Sequence, residues 1–463
     1  MMKPELRFSA GALSIAAALA VGASADAPHV YAIRGAKIVP VSGAPIASGT
    51  VVIRNGVVDA VGASVQAPAD AQVIEGNGLT VYPGLIDMAN STGLDLQVNR
   101  QQPAGMRTTE EAERWKRDLI LKPDVNAADH VREAPELARY AAAGITSVLA
   151  TPPGVIVKGR SALVNVTAPV DEPAIGHVGD YRNGIQVVRT PVALHIEFPG
   201  GVGGDAYPNS LLGVISFVRQ TFLDAQHQQV VAQRAAKSAM VRPPYDPALD
   251  ALQPALAGTL PVAFEVNTSR EILRALEMAQ EFKLDPVVSG AREADAVAAD
   301  LKARNARVIY NVNYPTRSRA LPPDADEPVE TLRTRANAPK VPAALAKAGL
   351  TFAFSADGVR EPRDFVRNVG RAVREGLSAE AALRALTLDA AKIAGADSRV
   401  GSIDKGKIAN LVVTDGDLFE ANTQVKHVFV DGRMIVLDAP APQRGGGRGR
   451  GGATEETQGK HGH

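Results

Sequence analysis

The chain has 463 residues, with 50 Lys+Arg against 50 Asp+Glu, 45% hydrophobic side chains and no cysteine. At about 150 residues per domain, that length fits one large α/β barrel with an appendage, or about three ordinary domains. The composition excludes wholesale disorder, the absence of cysteine excludes disulfides and thiolate metal sites, and the balanced charge excludes the steering field of a dedicated nucleic-acid binder.

The chain opens on a targeting pattern. Lys3 and Arg7 precede an uncharged, Ala-rich run from Phe8 to Val21, followed by the small-residue triplet Ala23-Ser24-Ala25. This predicts a signal peptide over residues 1–25, cleaved after Ala25 and delivering the protein to the periplasm or the medium. The run falls short of the roughly 20 residues a membrane span needs, and nothing later is apolar enough to cross, so no membrane association is expected.

Residues 28–82 read as short strands separated by turns. Asn55-Gly56, between two β-branched runs, predicts a tight hairpin because both turn positions must take positive φ, and Asn77-Gly78 repeats the signal. From Pro83 the texture becomes strand–helix alternation. The segment 134–144 reads as a helix stopped at Gly144, followed by the strand ITSVLAT. LPVAFEV is a strand, and Thr268 to Glu271 has capping-box spacing before a helix whose Ile272, Leu276 and Ala279 share one face. DPVVSG, the helical AREADAVAADLKARN, ARVIYNV, KVPAALAKAGL and TFAFSADG continue the alternation. Repeated β-α units of this size demand a parallel sheet, so an α/β fold with a (β/α)8 TIM-type barrel is expected over residues 83–396. Strands return over 397–436 and are expected to join 28–82 in a small composite β-sandwich. Residues 437–463 are nearly devoid of apolar side chains and read as a disordered tail. Its Arg444, Arg448 and Arg450 among glycines resemble an RNA-binding segment, but no nucleic-acid partner is expected.

YPGLID at Tyr82 to Asp87, SAD at Ser355 to Asp357, and the closing VGSIDKGKIANLVV and VFVDGRMI together resemble the amidohydrolase superfamily. The run PVAFEVNTSREILRALEMAQEFKLDPVVSGAREADAVAADL is similar to its imidazolonepropionase-like branch. The resemblance covers roughly residues 30–436, with a poorly matching stretch from about Asp171 to Leu260. It implies a hydrolase acting on non-peptide C–N bonds of a small substrate, through one or two divalent metals such as zinc at the C-terminal mouth of the barrel. A metal there would lower the pKa of its bound water and polarise a carbonyl.

The same resemblance places the expected ligands. The first-strand His-x-His falls at Ala89 and Ser91, the fifth-strand histidine at Glu265 and the sixth-strand histidine at Gly290. The last-strand aspartate is retained as Asp357, the expected metal ligand and proton shuttle. With most ligand positions substituted, no metal cofactor is expected unless a relocated site exists. His195 and Glu197, in PVALHIEFPGG, share one face of a strand by period-two alternation. If that strand belongs to the barrel, His195, Glu197, Glu265 and Asp357 could converge as a relocated metal site or an acid–base pair; otherwise His195 packs and Glu197 pairs with an arginine. Arg160, in GVIVKGRS, either holds an anionic group in the pocket or is a solvated loop charge; the stretch lacks phosphate-loop spacing. His130 reads as a surface residue at a helix start, His427 as structural, and His177 and His227 suggest no role. The polar insertion around Trp115 reads as a lid or a partner surface.

Two functions follow. One is an exported hydrolase with an altered site centred on Asp357. The other is a non-catalytic pseudoenzyme that binds a small molecule, or joins a homo- or hetero-oligomer with an intact amidohydrolase.

Overall fold

The computed structural model describes residues 30–166, 179–202, 207–237, 244–322 and 324–437. The expected signal peptide, His177 and the tail from residue 438 lie outside the described residues.

The first strands are β1 (Val30–Ile38), β2 (Ile46–Arg54), β3 (Val57–Gly62), β4 (Gln72–Glu75) and β5 (Thr80–Pro83). β1, β2 and β3 form an antiparallel meander. Asn55 at φ 51° and Gly56 at φ 82° close the β2–β3 hairpin, both in the left-handed region that the two-residue turn requires. Asn77-Gly78 makes a different turn. β4 and β5 do not pair with each other; both run parallel to β1 at successive positions along it. β1 breaks register between Arg34 and Ile38. There Gly76 passes so close that a β-carbon would lie 2.6 Å from that of Ala36, so the chain crosses the break and rejoins β1 instead of reversing.

Alternation follows, through β6 (Leu85–Asn90), α1 (Thr109–Ile120), α2 (Leu137–Ala142) and β7 (Ile145–Ala150). β7 runs parallel to β6, and Gly144 at φ 82° stops α2 where expected. The next step is not a helix. Thr151-Pro152-Pro153-Gly154 turns the chain back into β8 (Val157–Arg160) and β9 (Ala162–Asn165), with β9 antiparallel to β7. β10 (Asp180–Arg182) and β11 (Ile185–Arg189) extend that edge as a hairpin. β12 (Leu194–Glu197) pairs antiparallel with β8.

After α3 (Leu211–Ala235), α4 (Pro247–Ala251) and α5 (Gln253–Leu256) come four further strand units. These are β13 (Val262–Val266), α6 (Ser269–Phe282), β14 (Pro286–Gly290), α7 (Ala298–Ala303), β15 (Arg307–Asn311), α8 (Val329–Asn337), α9 (Val341–Lys347) and β16 (Phe352–Ser355). β12 through β16 are parallel neighbours in chain order. The helix expected over AREADAVAADLKARN is shorter than its pattern, with a 3-10 turn at Ala294–Val297 ahead of α7.

β16 lies beside β6. There the buried Asp87 carboxylate accepts the Ala356 N–H at 2.8 Å. Ile86, Leu149, Leu163, Ala193, Ala263, Val287, Ile309 and Ala353 meet in one buried cluster inside this ring of strands. The ring therefore departs from a strict (β/α)8 pattern at β8–β9, which runs antiparallel.

Three helices, α10 (Pro362–Arg374), α11 (Ala379–Leu386) and α12 (Leu388–Ile393), lead to β17 (Leu411–Thr414), β18 (Val425–Val430) and β19 (Arg433–Met434). β17 pairs directly with β5, so strands from both ends of the described chain form one continuous eight-stranded sheet.

Candidate active site

A cavity of about 340 Å³ opens where the parallel strands end. Ala89, Ser91, Thr151, Glu197, Glu265, Gly290, Asn311 and Asp357 all line it, each at the C-terminal end of its strand or just beyond. Loops at this face build the site in barrels of this kind, whereas the opposite face serves stability.

β12 stands in the ring, so the four residues with conditional roles meet. Glu197 lies directly opposite Glu265 in the parallel register of β12 and β13, and His195 lies opposite Ala263. His195 is 1% exposed, and its Nδ1 lies 3.1 Å from Glu265 Oε1. Its Nε2 is buried with no hydrogen-bond partner among the described residues. Asp357 reaches the same cavity from beyond β16.

The organising cation is Lys158, a residue whose role the sequence did not disclose. Its Nζ lies 2.7 Å from Glu197 Oε2 and 2.5 Å from Glu265 Oε2. The register explains how it arrives there. Gly159 pairs with His195 and Val157 with Ile196, which leaves Lys158 as the extra residue of a β-bulge. Bulges re-aim side chains, and a glycine inside a strand is the sequence signal for one. Gly159 takes φ 121°, and a β-carbon there would lie 2.7 Å from the Val125 carbonyl oxygen. Arg160, by contrast, does not line this cavity: its guanidinium donates to the Asp124 carbonyl at 2.8 Å. The bulge separates two basic residues that strict alternation would have put on one face.

Electrostatics follow from that arrangement. Burial opposes the Glu265 charge, but the His195 hydrogen bond and the Lys158 ammonium outweigh it and hold the carboxyl at about 2. Burial likewise opposes the Lys158 charge, and Glu265 and Glu197 reverse the balance, so the ammonium is held above its usual range. Partial burial, then the neighbouring Glu265 charge, raises the Asp357 carboxyl. Behind it, full burial pushes Asp87 up to about 6, although Ala356, Asn90 and Ala89 all donate to it.

The remaining walls are polar. Asn267, Ser289, Asn311 and Asn313 offer amides and a hydroxyl, and Arg292 stands exposed at the rim. The Tyr314 hydroxyl is buried without a partner among the described residues, while Tyr310 donates to the Ala338 carbonyl at 2.6 Å. None of these was singled out from sequence, because Asn and Ser at strand ends are ordinary loop residues. His227 is exposed on α3, and His427 sits on β18 opposite Val413. His130 is not simply a surface residue: it lines a second cavity beside the first.

Residues 282–435 match the family described as Amidohydrolase family. No curated protein matches the chain. Among solved structures, an amidohydrolase from Thermotoga maritima MSB8 superposes with a TM-score of 0.69 at 23% identity, covering 88% of this chain and 99% of that one. A prolidase complexed with N-methylphosphonate-L-proline gives 0.52 at 18% identity, covering 88% and 99%. A prolidase assigned in Bifidobacterium longum gives 0.51 at 15%, covering 90% and 96%. At these identities the likeness is one of fold.

Proposed function

We propose, from an amidohydrolase-type fold whose residues 282–435 match the amidohydrolase family, that this chain binds a small polar molecule at the barrel mouth without the superfamily's usual metal centre. The fold and the family match support, in general terms, a hydrolase lineage acting on small substrates. The chemistry at the mouth argues for a changed role. One observation carries the reading: the Lys158 ammonium lies between Glu197 and Glu265, supplying a fixed cation where the fold would otherwise gather ligands around a divalent one.

The positions that the resemblance assigns as ligands do not supply the usual donor set. Ala89 and Gly290 carry no donor, and both Glu265 oxygens are engaged, one by His195 and one by Lys158. Gly290 also has φ 88°, and a β-carbon there would lie 2.9 Å from Asn267 Oδ1, so a histidine at that position would be strained. The cavity instead offers the paired charges of Lys158 with Glu197 and Glu265, the Asp357 carboxyl, and the polar wall of Asn267, Ser289 and Asn311.

The test is metal content of the purified protein by inductively coupled plasma mass spectrometry, after incubation with Zn²⁺, Mn²⁺ and Fe²⁺, beside an Asp357→Ala variant. Both proteins are expected to hold well under one equivalent. Near-stoichiometric metal in the parent, lost in the variant, would overturn the proposal. A second reading, hydrolysis using Asp357 as acid or base without a metal, is favoured by the raised Asp357 carboxyl. An amide-hydrolysis screen that finds turnover abolished in Asp357→Asn would select it. Export belongs to the proposal too: sequencing the N-terminus of the mature protein should give Asp26 first.

A further inference from the structure

Between β6 and β7 the chain does not cross over in a single helix. It first builds an insertion that carries α1 and the only tryptophan of the sequence, Trp115. α1 is fixed at its start by a capping box, Thr108 with Glu111, and among its residues only Ile120 is fully buried. The following segment is stitched to the bulged strand: Lys122 N–H donates to the Val157 carbonyl at 2.9 Å, and Asn126 bridges Arg160. Under this insertion lies a cavity of about 390 Å³, walled largely by Leu96, Val98, Trp115, Leu119 and Val125.

Lys158 and Pro153 line both this cavity and the polar one at the barrel mouth. Glu197 and Glu265 draw the ammonium toward the polar side, which leaves the aliphatic stem of Lys158 as the partition between the two. The tight loop that brings them together depends on Gly154, where a β-carbon would lie 2.8 Å from Lys158 Cα.

Resting on the reading that the mouth holds a small polar ligand, we infer that the ligand is amphiphilic: an uncharged, amide-like head in the polar cavity and an apolar arm passing Lys158 into the cavity beneath Trp115. The head is uncharged because Lys158 and its two carboxylate partners, Glu197 and Glu265, already satisfy one another and leave no free charge for an ionic head, while Asn267, Ser289 and Asn311 offer both donors and acceptors. The arm is apolar because the second cavity gains most by excluding water from aliphatic and aromatic walls. Continuity through Lys158 and Pro153 selects an arm of the same molecule over a separate occupant.

The probes are straight-chain primary amides from propanamide to heptanamide, titrated into the full chain by calorimetry and by Trp115 emission. Affinity should tighten about fourfold per added methylene, with emission changing only once the chain is long enough to pass Lys158. Trp115→Phe should keep most of that dependence, and Trp115→Ala should flatten it. Affinity independent of chain length, or an equal slope in Trp115→Ala, would overturn the inference alone. Chain-length dependence with no effect of Asp357→Asn on any amide would sink the polar-head reading and this inference with it. A uniform gain for every amide on deleting residues 438–463 would instead make the chain's own tail the occupant, and would overturn it.

Discussion

Lys158 is the residue on which the mouth of the barrel turns. Two carboxylates face it, Glu265 is 24% exposed, and Lys158 itself is 12% exposed, so its removal strands partly buried negative charge. Lys158→Met keeps most of the side-chain volume and is expected to destabilise the protein by about 1–3 kcal/mol at pH 7, read from urea midpoints. Adding Glu265→Gln should recover part of that loss, because the more buried of the two stranded charges is gone while Glu197 keeps its own. The pH dependence has a definite sign. Glu265 is held at about 2, below its ordinary 4.5, so its contribution is present above pH 4.5 and is lost as pH falls toward 2. Lys158→Met should flatten that acid limb. Sequence reading reached His195, Glu197, Glu265 and Asp357 because period-two alternation and family likeness both point at strand ends. It missed Lys158 because a bulge breaks the alternation that would have grouped it with Arg160.

Single elements show how such misses arise. α6 was legible in full: Thr268 accepts the Glu271 N–H, Glu271 accepts the Thr268 N–H, and Ile272, Leu276 and Ala279 are buried as their spacing requires. Thr268→Ala should therefore cost about 1 kcal/mol, visible as a lower thermal midpoint with the fold unchanged. β8 depends on its neighbours instead. Gly159 must pass the Val125 carbonyl at a positive φ, and only the packed insertion supplies that carbonyl. Gly159→Ala is expected to destabilise by about 2 kcal/mol and to loosen the 121–126 segment, read by faster amide hydrogen exchange there than in β13 or β14. The Asn77-Gly78 turn shows the same dependence. Its dipeptide fits a hairpin, but β4 and β5 each find a better partner in β1.

Across the whole molecule, the two ends of the strand ring have different chemistry. The mouth carries the open polar cavity; the opposite end carries a closed network that ties the terminal sheet to the ring. Asn165 donates to Gln186 at 2.9 Å and to Asp431 at 2.5 Å, and accepts from Ser147 at 2.7 Å and Asn410 at 2.9 Å. Burial pushes Asp431 up to about 6 despite the Asn165 hydrogen bond and the nearby Arg433 and Arg399. A carboxyl raised when folded favours the fold below its ordinary value of 3.8 and loses that advantage as pH rises through 6. Asp431→Asn, which keeps an acceptor for Asn165 and suits the φ of 55°, should remove that loss. The expected outcome is a variant up to about 3 kcal/mol more stable at pH 7 and no more stable at pH 4, measured by denaturant unfolding at both.

Local patterns in the chain determined most of the elements, because hydrophobic period, caps and glycine stops act within a few residues of one another. They also determined the order of strands and helices from which a barrel-type α/β fold follows. The expected union of the two strand segments also came from the sequence, but its form as one sheet through direct β5–β17 pairing, the antiparallel return of β8, and the convergence of Lys158 with Glu197 and Glu265 were decided by tertiary structure. Each depends on a contact between segments far apart in sequence: β8 with β12, β5 with β17, Lys158 with Glu265 across 107 residues. Sequence spacing carries no information about such distances, and a charge is placed only when packing fixes which way its strand bulges.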